Sequence, residues 1–98
     1  MSLAVEAVAH PDMKYRRYAI GALGDIGDRK ALPTLVALIE NAGEAVYMRN
    51  DALLAIYRID RALGTRYARQ YRHADAPIAS TAEAILRGDR WLLEPTEE

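Results

Sequence analysis

Arginine and tyrosine are concentrated in one segment of the chain, which runs from Arg58 to Arg72. This segment contains five arginines against a single acid, Asp60, and it also carries Tyr67 and Tyr71. Arginine binds phosphate and tyrosine stacks on bases, so the pattern could serve a nucleic-acid surface. The same residues also suit a solvated helical face with the tyrosines packed inward, or a contact with a protein partner. We favour the solvated face first and nucleic acid last, because nucleic acid normally needs a broader positive surface.

The histidines and glycines do not form a recognisable catalytic, metal or cofactor site. His10 and His73 lack the spacing that places two metal ligands on one helical face. Gly21, Gly24 and Gly27 fall near a helix end, outside the strand-loop-helix setting of a phosphate loop. A nucleophile, a base and an orienting group cannot be named together. We therefore expect a protein that is not an enzyme and that has no cofactor.

The elements that position these residues follow from an apolar pattern that occurs twice, 33 residues apart, and then begins a third time. Its members are Tyr15, Ala19, Ala22, Leu23 and Ile26, then Met48, Ala52, Ala55, Ile56 and Ile59, and then Ile78, Ala82, Ile85 and Leu86. Each set lies on one stripe of an α-helix, because every residue turns the helix by about 100°. A repeat of this length is typical of a solenoid of stacked helical pairs.

Capping residues and helix breakers divide the chain into helices. The predicted helices run from Leu3 to Ala9, from Met13 to Gly24 or Ile26, from Asp28 to about Asn41, from about Val46 to Ile59, from Asp60 to about Ala74 and from Asp75 to Gly88. Asp12 and Asp28 are suitable N-caps, and Pro33 is tolerated in a first helical turn. We expect one all-α domain over 1–98. It would consist of a half-unit (1–10), two full units (12–41 and 44–74), a second half-unit (75–88) and a C-terminal cap and tail (89–98).

An apolar cluster of Trp91, Leu92 and Leu93 follows the last predicted helix. A solenoid must cover the apolar face of its last unit, so we expect this folded-back segment to cap the helix from Pro77 to Gly88 and Trp91→Ala to lower thermal stability. The alternative is a contact with a partner, because tryptophan is a frequent hot spot. A solenoid usually needs at least about three units, so a homo-oligomer is another way to complete the core.

Composition limits the compartments and partners that the chain suits. Its 98 residues carry a formal charge of −1, which gives the whole molecule no bias toward nucleic acid or an anionic membrane. Cysteine is absent from the sequence, which excludes disulfides and thiolate chemistry and is compatible with the reducing cytoplasm. The first residues show no basic leader and only a short apolar stretch, so we expect no signal peptide and no membrane span. The expected location is cytoplasmic.

One stretch of the chain resembles a known repeat family. Arg16, Ala19, Ala22, Leu23, Gly24, Ile26, Gly27 and Asp28, followed by Ala31, Leu32, Pro33 and Leu35, resemble the repeat of HEAT-like proteins, in particular the subgroup found in phycobilisome bilin lyases. The resemblance covers about residues 3–88, and Tyr57 departs from it where the family has glycine. It implies a right-handed α-solenoid of about two and a half units, with the second helices lining a concave face. It also implies a structural ladder between units, in which Arg16 and Arg49 pair with Asp28 or Asp60.

The leading functional hypothesis is a non-enzymatic scaffold or adaptor that binds another protein through the concave helical face. Stacked helical pairs give an extended curved surface suited to this role. We expect Thr34, Ala37, Glu40, Arg66, Arg69 and His73 near that surface, with Trp91 as a further partner-binding candidate. Two alternatives stay open. The resemblance alone implies a bilin lyase-like enzyme or lyase subunit, and the segment from Arg58 to Arg72 permits nucleic-acid binding.

Overall fold

The computed structural model describes residues 13–93, with side chains described from residue 17 onward. Five α-helices follow one another: α1 (Met13–Ile26), α2 (Leu32–Glu40), α3 (Val46–Ile59), α4 (Arg61–Tyr71) and α5 (Ala76–Arg87). Short 3-10 turns precede α2 (Arg29–Ala31) and follow α5 (Arg90–Leu93). No strand occurs between residues 13 and 93, which confirms the all-α prediction there. The helix predicted before Pro11, the Asp12 cap and the acidic tail lie outside the described residues.

Local chemistry sets the helix ends, although α2 begins later than the predicted Asp28 and α4 ends earlier than the predicted Ala74. The carboxylate Oδ1 of Asp28 accepts a hydrogen bond from the backbone N–H of Lys30 at 2.9 Å, as an N-cap does. This cap begins a 3-10 turn, and α2 itself starts at Leu32, because Pro33 fits only in the first turn of an α-helix. Gly88 ends α5 with a φ of 76°, a left-handed conformation that glycine adopts without strain.

The helix α3 occupies the centre of the fold. It packs against α1, α2, α4 and α5, and it also contacts the 3-10 turn that follows α5. The first helices of the predicted pairs, α1, α3 and α5, therefore form a row in which each helix contacts the next, while α2 and α4 form a second layer. This order of contacts is consistent with a helical solenoid. Within the described residues, no helix combines the length and the apolar character needed to cross a bilayer.

The repeated stripe supplies much of the hydrophobic core. Its buried members are Ala19, Leu23, Met48, Ala52, Ala55, Ile56, Ile78, Ala82 and Ile85. Ile26 does not follow the expectation, since it is 60% exposed at the end of α1, where the chain turns away at Gly27. Ile20 and Leu53 lie outside the predicted stripe and are fully buried. For Leu53 the reason is that α3 is covered by several helices, so its buried surface is wider than one stripe.

Gly64 allows α4 to approach α3 very closely. A Cβ atom placed on Gly64 would lie only 2.5 Å from Cα of Tyr57. Tyr57 itself is 93% buried by this packing, with a relative exposure of 7%. The bulky residue that departs from the family pattern on α3 is therefore matched by a glycine on α4.

Candidate partner-binding face

The helices α2 and α4 each have one exposed side and one buried side. Leu35 and Ile39 of α2, and Gly64 and Ala68 of α4, are buried. The exposed residues at corresponding positions are Pro33, Ala37 and Glu40 on α2 and Ala62, Arg66 and Arg69 on α4, and we call these six residues the outer face. Residues three, four and seven positions apart share one side of a helix, so each set forms a continuous ridge.

Most of the predicted partner-binding residues lie on this outer face or at its edge. Ala37, Glu40, Arg66 and Arg69 belong to it. Thr34 is only partly exposed, and His73 is exposed but lies beyond the end of α4, in the turn that leads to α5. The structure thus brings these residues together on two helices, while what they bind stays a prediction.

A chain of polar and aromatic contacts joins α2 to α4 next to the outer face. The hydroxyl of Tyr67 donates a hydrogen bond to Oε2 of Glu40 at 2.7 Å. The rings of Tyr67 and Tyr71 stack with centroids 6.3 Å apart. The Arg49 guanidinium lies over the Tyr71 ring and donates to the carbonyl oxygen of Ile39 from Nε at 3.0 Å and from Nη2 at 2.8 Å. Sequence reasoning missed this connection, because its members are far apart in the chain.

The Glu40 contact changes the acid–base behaviour of Tyr67. The hydrogen bond to the Glu40 carboxylate raises the pKa of Tyr67, and partial burial raises it further. Both causes favour the neutral phenol, since a phenolate would lose the donated hydrogen bond and would be repelled by the carboxylate. Glu40 therefore has an intramolecular role in addition to its exposed position.

The predicted ladder between units is not the one that these residues form. Arg49 binds the carbonyl of Ile39 at the C-terminal end of α2 instead of an aspartate, because carbonyls at a helix end lack intrahelical partners. Asp28 caps the 3-10 turn before α2. Asp60 caps α4 and pairs with Arg29 at 3.0 Å. The side chain of Arg16 lies outside the described part of the chain.

Other side chains connect neighbouring first helices, and they do so at repeated positions. Arg17 of α1 pairs with Asp51 of α3 at 2.7 Å. The hydroxyl of Thr81 on α5 donates a short hydrogen bond to the side-chain oxygen of Asn50 on α3. Arg17 and Asn50 occupy the same position of the repeated pattern, and Asp51 and Thr81 occupy the next one. The sequence repeat therefore indicates which positions of neighbouring first helices contact each other. The interaction at these positions changes from an ion pair to a neutral hydrogen bond.

A family model for HEAT repeats matches residues 2–86. The chain belongs to the HEAT repeat family. It has no match among curated proteins or among solved structures. The predicted family is confirmed, whereas the bilin lyase subgroup stays a prediction.

The arginines described between Arg17 and Arg87 fall into two groups. Arg17, Arg29, Arg58 and Arg87 form salt bridges, and Arg49 binds a carbonyl and a tyrosine ring. On and just after α4, by contrast, Arg61, Arg66, Arg69 and Arg72 are exposed and form no ion pair with any described residue. Asp60, the only acid within the segment from Arg58 to Arg72, is already occupied. Its pKa is lowered first by the N-cap hydrogen bond from Leu63 and then by the Arg29 guanidinium.

The C-terminal cluster is anchored by Leu92 rather than by Trp91. Leu92 is fully buried, whereas Trp91 is 49% exposed. Arg58 connects this turn to α1, because its Nε donates to the Leu92 carbonyl and its Nη1 pairs with Asp25, both at 2.7 Å. The single turn after α5 directs Leu92 inward, and this turn contacts α3. The expectation that the segment caps the last helix stays a prediction.

Within residues 13–93, no group of three or more histidine and acidic side chains is arranged to hold a metal ion.

Tyr67 and Tyr71 are partly buried and pack against the hydrophobic core, while Arg66 and Arg69 are exposed. This is the arrangement that a solvated arginine face predicts. The expectation that the protein is not an enzyme stays a prediction.

Proposed function

We propose that this HEAT repeat chain is a non-enzymatic scaffold or adaptor that binds a protein partner through the outer face of α2 and α4. One observation carries the proposal: the two layers of helices use their side chains differently. The repeated residues of α1, α3 and α5 pack the core, and adjacent positions connect one helix to the next. The outer face, in contrast, holds exposed residues such as Ala37 and Arg66 that make no comparable internal contact.

The proposal includes the finer architecture that the sequence predicts. The chain would be a short right-handed array of about two and a half units. Its concave side would be lined by α2 and α4, so the outer face of these helices would lie on the concave side. The 33-residue repeat and the stacking of α1, α3 and α5 support this view. A cytoplasmic location is part of the same proposal, and the absence of cysteine is compatible with it.

Affinity capture from the native host, followed by mass spectrometry, tests the proposal. The face variant would be Ala37→Arg/Ala62→Arg, which places two long cations on α2 and α4. Its matched control would be Ala76→Arg/Ser80→Arg, because these two small residues are exposed on α5. We expect a specific host protein to bind the wild type and the control and to be lost from the face variant. Binding of that protein would then be measured with purified components.

Circular dichroism and thermal unfolding establish that both variants remain folded, as expected for exposed substitutions. The proposal is wrong if every specific host protein is retained equally by the face variant and the control.

A further inference from the structure

We propose that α4 binds an acidic segment of the partner protein through Arg61, Arg66, Arg69 and Arg72. This inference rests on the proposed function and adds the chemical class of the partner. Arginine is suited to the role, because its planar guanidinium can donate two parallel hydrogen bonds to one carboxylate.

The first argument is that helix stability explains these four arginines only in part, because the helix dipole favours Arg69 in the last turn and Arg72 just after it but not Arg61 or Arg66. Arg66 and Arg69 are three residues apart on α4, and like charges at this spacing destabilise a helix. Arg72, the C-cap residue, adds a third positive charge three residues after Arg69. No described carboxylate forms an ion pair with these arginines, and Asp60 already binds Arg29 and the N-terminal turn of α4. A negatively charged partner would remove the repulsion.

The second argument is that α4 is held firmly from its other side. Gly64 lies against the backbone of Tyr57, and Tyr67 is hydrogen-bonded to Glu40. Tyr71 is stacked on Tyr67 and covered by the Arg49 guanidinium. The backbone that bears the arginines is therefore already in place before a partner binds, which reduces the entropic cost of binding.

The third argument concerns the size and the surroundings of the charged surface. Arg61 and Arg72 are separated by 11 residues, or about 16 Å along a helix. This length suits a short run of carboxylates. The neighbouring ridge of α2 offers uncharged Pro33 and Ala37, and it also carries one carboxylate, on Glu40, which the neutral hydroxyl of Tyr67 bonds but does not neutralise. The acidic segment would therefore lie on the α4 side of the face. A protein segment fits this small surface better than nucleic acid, which normally needs a broader positive area.

Fluorescence anisotropy with the full chain tests the proposal. The probe would be a labelled synthetic peptide of glutamate and alanine, and the negative probe would carry glutamine in place of every glutamate. We expect the glutamate peptide to bind, the glutamine peptide not to bind, and binding to weaken as NaCl is raised. We expect Arg66→Glu/Arg69→Glu to weaken binding on the order of tenfold, since two exposed ion pairs become repulsive.

A matched control separates a local effect from the net charge of the molecule. Lys30→Glu/Arg90→Glu changes the net charge by the same amount, and both residues are exposed on the two 3-10 turns, without an ion pair to any described residue. This control should keep wild-type affinity within about twofold. Arg66→Lys/Arg69→Lys should bind more weakly than the wild type but more tightly than Arg66→Glu/Arg69→Glu, because it preserves the positive charge and loses the paired guanidinium hydrogen bonds.

Four outcomes would overturn the proposal. They are no binding of the glutamate peptide, an equal loss in the charge-matched control, tighter binding of an oligonucleotide than of the peptide at the same salt, and peptide binding only after residues 94–98 are removed. The last outcome would mean that the chain's own acidic residues occupy the surface. If host proteins respond to Ala37→Arg/Ala62→Arg but not to Arg66→Glu/Arg69→Glu, the binding face stands and the acidic partner is wrong.

Discussion

Replacing Gly64 with alanine should separate α4 from α3, although alanine is the better helix former. The added Cβ would lie 2.5 Å from Cα and 2.7 Å from Cβ of Tyr57. Carbon atoms in ordinary contact are about 3.5–4.0 Å apart, so the two helices would have to move by about 1 Å. A side-chain rotation cannot relieve the overlap, because the nearest atom belongs to the backbone of α3.

The expected loss can be worked from two opposing effects. Overpacking of a well-packed core costs about 1–3 kcal/mol, and the backbone overlap places Gly64→Ala near the upper value. Higher helix propensity returns about 1 kcal/mol. The net loss in free energy of unfolding is then about 2 kcal/mol, and for a domain of this size the midpoint of thermal unfolding should fall by about 8–16 °C.

Urea unfolding and thermal unfolding, both followed by circular dichroism, measure this effect. Gly24→Ala is the matched control, because its Cβ would lie 3.0 Å from Cα of Ala55 and a small shift would accommodate it. We expect this control to stay within about 1 kcal/mol of the wild type. If Gly64→Ala proved as stable as the wild type, the close packing of α4 on α3 would be refuted.

Three further predictions concern the turn after α5, the cap of α4 and the contact between α2 and α4. Leu92→Ala should lower the free energy of unfolding by about 2–5 kcal/mol because it empties a buried site, whereas Trp91→Ala should lower it by less than about 1 kcal/mol. Urea unfolding measures both values, and the opposite order would contradict the anchoring role of Leu92. The lowered pKa of Asp60 means that its stabilising contribution is present above the ordinary value of 3.8 and is lost as pH falls through the folded pKa, so Asp60→Asn should flatten the acid limb of a stability–pH profile, and an unchanged limb would refute this. The raised pKa of Tyr67 stabilises the fold below its ordinary value of 10.0, and this contribution is lost as pH rises through the folded pKa. Tyr67→Phe should therefore remove a late-titrating component from the tyrosinate absorbance curve and cost at most about 1 kcal/mol, whereas an unaltered curve would argue against the bond to Glu40.

The positions of the helices could be predicted from the sequence because local signals set them. The apolar period and Gly88 place α3 and α5 within a residue or two of their observed ends. The stripe also identified nearly half of the core, but it included Ile26, whose burial depends on where α1 ends, and it omitted Leu53, whose burial depends on several neighbouring helices. Such burial is a property of the packed fold, which a single-helix pattern does not contain.

The contacts between helices were harder to predict, because one position can be filled by different chemistry. Arg17 and Asn50 share a place in the repeat, yet one forms an ion pair and the other accepts a neutral hydrogen bond. Arg49 was expected to pair with an aspartate, and it found an unsatisfied carbonyl at the end of α2 instead. An aspartate and a backbone carbonyl are both suitable partners for an arginine, and only the distance between helices decides which of them it binds.

The second helices show most clearly how packing and surface have diverged between the two pairs. Where α2 buries Leu35 and Ile39, α4 has Gly64 and Ala68 at the corresponding positions. The smaller side chains let the α4 backbone lie directly on α3. The packing of α4 therefore stabilises the fold less through its own buried side chains and more through close contact of its backbone with α3. On the opposite side, Ala37 of α2 corresponds to Arg66 of α4. The exposed surfaces of α2 and α4 therefore differ in charge. We expect a partner that recognises positive charge to bind α4, while α2 supplies the smaller side chains of the neighbouring surface.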